Sequence, residues 1–172
     1  MPEGALLLSL VTLQRVLELG LSARNTRRLL QQGAVEVAAG HYPLIVALHA
    51  GWLAALWGVV LWTDAGAYQV VLPWLVVYLL LQLFRVWILV SLGARWTTRI
   101  VVLDAPLVRR GPYRLLRHPN YLLVVLEIAV VPLALGLPWL ALVFSLLNAG
   151  VLFVRIRAED RALAELRSHA GS

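Results

Sequence analysis

Apolar residues fall into five long blocks along the 172-residue chain, and polar residues collect between them. The blocks are roughly 5–21, 43–62, 68–92, 121–135 and 137–154. A helix needs about 20 apolar residues to cross a bilayer, within a range of about 17–25. The first three blocks meet that length. The last two are shorter, and only the turn around Gly136 and Pro138 separates them, so they predict a tight helical hairpin. Pro132 removes a backbone donor within the fourth block and is a candidate kink. The pattern therefore predicts an all-α, polytopic membrane bundle of about five helices, forming one domain over 1–172.

Charge between the blocks adds an orientation. Arg24, Arg27 and Arg28 follow the first block, six arginines lie in 93–118, and four lie beyond 154. Thirteen of the fifteen arginines are thus at one set of ends, and Arg15 and Arg85 lie inside blocks. The opposite connections, 63–67 and the turn at Gly136, hold no basic residue. The positive-inside rule then puts the N-terminus outside and the C-terminus in the cytoplasm. An odd number of spans agrees, because the two ends must then lie on opposite sides.

Composition agrees with a membrane protein: 61% of residues are hydrophobic and 14% charged, against about 25% charged in soluble domains. The net charge of +6 does not point to nucleic acid, because the arginines are spread between apolar segments and suit anionic lipid headgroups. Every basic residue is Arg, which with abundant Ala, Leu and Gly suggests a GC-rich genome. Cysteine is absent, which excludes disulfides, thiolate metal sites and a cysteine nucleophile. Glu3 stands where a leader peptide would be basic, so the first block is expected to be a span rather than a cleaved signal. Oligomeric state is left open by the sequence.

Two clusters carry candidate chemistry. The first is Gly111-Pro112-Tyr113-Arg114-Leu115-Leu116-Arg117-His118-Pro119-Asn120-Tyr121. Pro119 suits a first helical turn, placing His118 near an N-cap whose free N–H groups attract anions, with Arg114 and Arg117 beside it. Its plainer reading is a basic surface turn with aromatic anchors. The second cluster, Arg155-Ile156-Arg157-Ala158-Glu159-Asp160-Arg161, sets paired acids beside arginines at helical spacing. Its plainer reading is a solvated helix with weak i,i+4 pairs such as Arg155–Glu159.

Together, with a helical hairpin between them, these clusters resemble the isoprenylcysteine carboxyl methyltransferase family of integral-membrane enzymes, over roughly Leu92–Leu166. The stretch Gly40-His41-Tyr42-Pro43 to Leu48-His49 is similar to a bacterial branch associated with O-methylation of long-chain phenolic or pyrone lipids. The resemblance implies S-adenosylmethionine as cofactor, bound by about 93–166. It implies that His118, Pro119 and Tyr121 help form the cofactor pocket, closed by the preceding loop with Tyr113 and Arg117 and by the last helix. Arg155, Glu159 and Asp160 match the family's Arg…Glu-Glu positions. The Asp is one methylene shorter, and the family's aromatic C-terminal tail is missing, so that part of the pocket wall must differ.

Polar residues inside the blocks are costly and invite a functional reading with a named partner. Arg15 and Glu18, three apart, form one helical face and read as a structural pair. Arg85 is a natural counter-charge for Glu127. A phenolic acceptor needs its proton removed, and His49 or Glu127 is a candidate base; the plainer reading of each is a structural polar contact. A carboxylate acceptor needs only a cation, for which Arg155 is the candidate. The leading expectation is O-methylation of a lipophilic hydroxyl within the membrane. The alternatives are carboxyl methylation of a lipid acid and a non-enzymatic lipid-binding protein. Paired halves for a transporter are lacking, as is a strand–glycine loop–helix unit.

Overall fold

The computed structural model describes residues 3–37, 40, 42–62 and 70–170; side chains of the last helix are described through Glu159 and at Arg161. The helices are α1 (Glu3–Gln31), α2 (Tyr42–Trp62), α3 (Leu72–Leu92), α4 (Pro119–Ala134) and α5 (Pro138–Ala170). α1, α2, α3 and α5 are each long and apolar enough to cross a membrane. α4 has 16 residues, about 24 Å at 1.5 Å per residue, which is short of a full ~30 Å core. Pro132 lies in its last turn, and the hairpin to α5 turns at Gly136 with φ +70°. The chain is an integral-membrane helical bundle.

Two helices run further than their apolar blocks. α1 continues from 21 to 31 through Ser22, Asn25 and Thr26, which are buried although polar. α5 continues from 154 to 170 through the charged cluster. Hydropathy marks where a helix can meet lipid, not where its backbone stops. The expected start of the third span at Tyr68 lies outside the described residues.

The ends of α1 and α5, the start of α2, and the 93–118 connection meet at the arginine-rich end. Asn25 Nδ2 donates to Trp96 O at 2.8 Å, and Thr26 and Thr97 hydroxyls lie 2.8 Å apart. Thr98 N donates to Ser22 Oγ at 2.8 Å. A two-residue antiparallel ladder joins β1 (Val35–Glu36) to β2 (Val101–Val102), continued by Val37 N donating to Ile100 O at 2.9 Å. Backbone groups of a surface connection need such partners, and the ladder is an addition that apolar patterning does not show.

The bundle is apolar outside and holds a charged cluster within an otherwise apolar core. Leu10, Leu17, Leu83, Val90 and Leu146 are all exposed, as lipid-facing positions should be. Glu127, by contrast, is 0% exposed. Arg15 Nη2 donates to Glu127 Oε2 at 2.6 Å, and Arg85 donates to Glu127 through Nε, at 3.1 Å, and through Nη2. Arg85 also donates to Glu18 at 2.6 Å, and Arg15 to Glu18 at 3.1 Å. Gln82 donates to Glu127 at 2.9 Å, and Tyr78 OH to Gln14 at 3.1 Å. The expected pairs Arg15–Glu18 and Arg85–Glu127 are thus one network joining α1, α3 and α4. Its two acids and two bases cancel, which lets four charges share an apolar bundle.

Truncating Glu127 leaves Arg15 and Arg85 sharing the single carboxylate of Glu18, with one positive charge uncompensated in a low-dielectric interior. Glu127→Ala is expected to lose about 3–5 kcal/mol, the typical cost of breaking a buried ion pair on one side. Its unfolding midpoint in detergent, compared with the wild type, checks this; equal midpoints would contradict a structural role.

Candidate active site

The 93–118 connection is seated on α3 by the Gly-Pro-Tyr-Arg segment. Gly111 has φ +58°, and a Cβ there would overlap Ser91 Oγ and come within 3.0 Å of Trp87 Nε1. A side chain would therefore be opposed both by the left-handed backbone and by α3. Arg110 Nε donates to Ser91 O at 2.7 Å beside it. Residues 111–114 form a 3-10 turn, and His118 is the residue that caps α4, with Pro119 buried in the first turn.

Beneath this connection lies a cavity of about 370 Å³, lined among others by Arg109, Tyr113, Arg117, His118, Tyr121 and Glu159. A second cavity of about 260 Å³ lies among α1, α2 and α5, lined by apolar residues such as Val16, Val46 and Leu152 together with His49. Trp96, Asn120, Tyr121 and Arg155 line both. They form a common wall between a mixed loop-side space, lined by arginines as well as by Ile100, Leu103 and Leu107, and a mostly apolar, helix-side space.

One hydrogen-bonded chain runs along that wall. Arg155, 8% exposed, donates through Nε to Tyr121 OH at 2.9 Å and through Nη2 to Thr98 O at 2.6 Å. Tyr121 OH donates in turn to the Glu159 carboxylate. Arg155 and Glu159 therefore meet through a tyrosine from α4, rather than only along α5. His118 stacks on Tyr121, with ring centroids 5.2 Å apart and planes 18° apart, and its Nδ1 lies 4.0 Å from Glu159. Burial, reinforced by the nearby Glu159 carboxylate, pushes the Tyr113 phenol well above its ordinary value, so it stays protonated and able to donate at neutral pH.

Helical spacing explains why α5 serves both spaces. Asn148, Val151, Leu152, Arg155 and Glu159 recur every three or four residues and so share one face. Asn148 lines the helix-side cavity, Arg155 the common wall and Glu159 the loop-side cavity. In the helix-side cavity, His49 Nδ1 lies 2.8 Å from Ile45 O. A carbonyl only accepts, so this bond puts the proton on Nδ1 and the lone pair on Nε2.

The residues singled out in the sequence separate accordingly. Tyr113, Arg117, His118, Tyr121, Arg155 and Glu159 come together around the loop-side cavity, with Pro119 behind them. His49 lies across the common wall in the other cavity. Glu127 lines neither cavity, and both of its oxygens accept from guanidiniums. The Asp160 side chain and His41 lie outside what the structure describes. Sequence reasoning passed over Trp96, Thr98, Asn120 and Asn148. Asn120 lies inside the first cluster, and Asn148 is a lone amide in an apolar span, a signal that was available.

Comparison with known proteins now places the chain. Residues 74–165 match the isoprenylcysteine carboxyl methyltransferase (ICMT) family, and the chain belongs to that family of membrane methyltransferases. It is also 39% identical over 161 residues to "Uncharacterized protein YpbQ" of Bacillus subtilis (strain 168), covering 93% of this chain and 96% of that one. No solved structure matches. The family match spans α3 to α5, including the loop-side cavity and the common wall.

Gly111→Ala should loosen the loop that roofs the site. Forcing an alanine into this backbone region costs about 1–2 kcal/mol before any overlap with Ser91 is relieved. Amide hydrogen exchange across 96–118 is expected to accelerate while α1–α3 keep their protection; unchanged exchange in the loop would contradict the seating described.

Proposed function

We propose that this protein is an S-adenosylmethionine-dependent O-methyltransferase acting on a lipophilic acceptor, with the cofactor in the loop-side cavity and the acceptor in the helix-side cavity. The observation that carries this reading is the common wall: a mixed, more polar space and a mostly apolar one abut at Trp96, Asn120, Tyr121 and Arg155. The loop-side residues suit a zwitterionic nucleoside. Arg109 and Arg117 offer cations to a carboxylate, Glu159 offers acceptors to an amine or to ribose hydroxyls, and the His118–Tyr121 stack offers aromatic faces. Its volume lies within the range of about 300–1,000 Å³ common for ligand sites.

When bound, S-adenosylmethionine supplies a methyl group already made electrophilic by its sulfonium. The chain's own task is to align an oxygen with it and to exclude water. Arg155, fixed by Tyr121 and Thr98, holds the reacting oxygen at the wall and favours its anionic form. His49 Nε2 takes the proton of a phenolic or pyrone hydroxyl. Glu127 serves as a positioning residue, holding Arg15 and Arg85 rather than moving a proton. The acceptor's hydrocarbon chain lies toward lipid between the helices, and the arginine-rich end faces the cytoplasm, where the water-soluble cofactor arrives.

A lipid carboxylate is the second reading, favoured by the buried Arg155 cation at the wall, because such an acceptor is already ionised and needs no base. Replacing His49 separates the two. His49→Gln should lower kcat on a long-chain phenol by about 10²–10⁴-fold, the usual worth of a positioned base, and should leave a lipid acid almost unaffected.

Binding provides the broader test. Calorimetry in detergent is expected to show S-adenosylhomocysteine binding, weakened at least about tenfold in His118→Ala and Glu159→Ala, consistent with lost contacts of about 1.5–3 kcal/mol. Methylation should fall with it while membrane insertion stays normal. Full activity in both variants would refute the site, and no binding to the wild type would favour a non-enzymatic lipid-binding role.

A further inference from the structure

The turn that leads into α4 carries a surface that neither cavity uses. Residues 111–117 read Gly-Pro-Tyr-Arg-Leu-Leu-Arg. Leu115 is 78% exposed and Leu116 40%, and both precede the start of α4 at Pro119. Arg114 is exposed beside them. Its side chain makes no hydrogen bond or ion pair among the described residues. Arg114 and Leu115 line neither cavity, whereas Leu116 also borders the loop-side one.

Two adjacent leucines at this exposure are unfavourable in water. The length of α4 indicates what covers them. Its 16 residues span about 24 Å, against a hydrocarbon core of about 30 Å. A short span is accommodated by local thinning or by flanking residues that reach into the interface. At the arginine-rich end, the flanking segment is this turn. Leu122, Val125 and Leu126 are exposed on α4 and share one helical face, so Leu115 and Leu116 prolong a run of exposed apolar residues past the helix start. Charge sets the kind of lipid. From Arg95 to Leu126 the chain holds six arginines and one acid, Asp104. Apolar tips beside an unpaired guanidinium match the boundary between acyl chains and anionic phosphates.

We propose that the Arg114-Leu115-Leu116 turn is a docking site for an anionic phospholipid. The phosphate accepts from the Arg114 guanidinium, while Leu115 and Leu116 enter the layer between head groups and acyl chains. The docked turn anchors the start of α4, where His118 and Tyr121 follow, and its Leu116 ties that anchor to the rim of the loop-side cavity. The inference depends on the protein lying in a membrane and not on methyl transfer.

The chain has no cysteine, so Leu115→Cys provides a unique attachment point for a small bimane fluorophore that stands in for the leucine. The labelled full-length protein is reconstituted in phosphatidylcholine vesicles, and quenching by brominated phosphatidylglycerol is compared with quenching by brominated phosphatidylcholine. Phosphatidylglycerol is expected to show at least about fivefold higher relative affinity, the worth of one basic residue at an anionic surface. Adding Arg114→Gln should abolish that preference and leave quenching by phosphatidylcholine unchanged. Arg114→Lys should keep most of it. In the unlabelled wild type, amide exchange over 111–118 should be slower in vesicles containing phosphatidylglycerol than in phosphatidylcholine alone, with no difference in α3. Arg114→Gln should remove that difference, yet melt with the wild type in detergent, where an arginine with a structural partner would melt lower.

Equal quenching by the two lipids, a fluorophore that neither lipid quenches, or a preference that survives Arg114→Gln would overturn the proposal. So would loss of the preference to inorganic phosphate at constant ionic strength, which would mark a site for a soluble anion.

Discussion

The bundle is organised around a carboxylate held between two guanidiniums at membrane depth. Glu127 alone would be costly there, and so would Arg15 or Arg85. Together with Glu18 they become a neutral cluster, and the bonds run between three helices rather than along one. The driving force that holds helices together in water is weak in lipid, so packing and interhelical polar contacts gain importance. This cluster fixes α1 against α3 and α4, and it thereby sets the width of the helix-side cavity that α1 borders.

The consequence for the site is a division of labour by depth. At the arginine-rich end, Asn25, Thr26 and Ser22 of α1 bind the connection after α3, and Gly111 seats its far part on α3. The connection becomes a roof with the more polar of the two spaces under it. Below, apolar walls open among α1, α2 and α5. Tyr121 and Arg155 stand where the two spaces abut, held by each other and by Thr98 and Glu159. Under the proposed function, a water-soluble methyl donor and a lipid approach this wall from opposite sides without either crossing the other's medium.

Much of this was legible in the sequence, and the limits have physical causes. Five apolar blocks gave the five helices because lipid demands apolar surface. They missed the extension of α1 to Gln31, since Ser22, Asn25 and Thr26 are polar in composition but buried against a loop. The two motifs pointed to His118, Tyr121, Arg155 and Glu159, which do converge on one cavity. Periodicity within α5 also put Asn148, Arg155 and Glu159 on one face. No pattern along the chain could show that Arg155 reaches Glu159 by way of Tyr121, because that link depends on how α4 packs against α5. Glu127 and His49 looked equivalent as polar residues in apolar spans; only tertiary contacts distinguish the one clamped by arginines from the one lining a cavity.

The central claim is that the cofactor and the acceptor occupy the two sides of one wall. A structure of the protein with S-adenosylhomocysteine and a non-reactive acceptor analogue tests it most directly. The account predicts the nucleoside beneath the 93–118 connection, the sulfur against Tyr121 and Arg155, and the analogue's oxygen facing it from the helix-side cavity. Nucleoside density in the helix-side cavity, or an analogue bound away from His49 and Arg155, would contradict it.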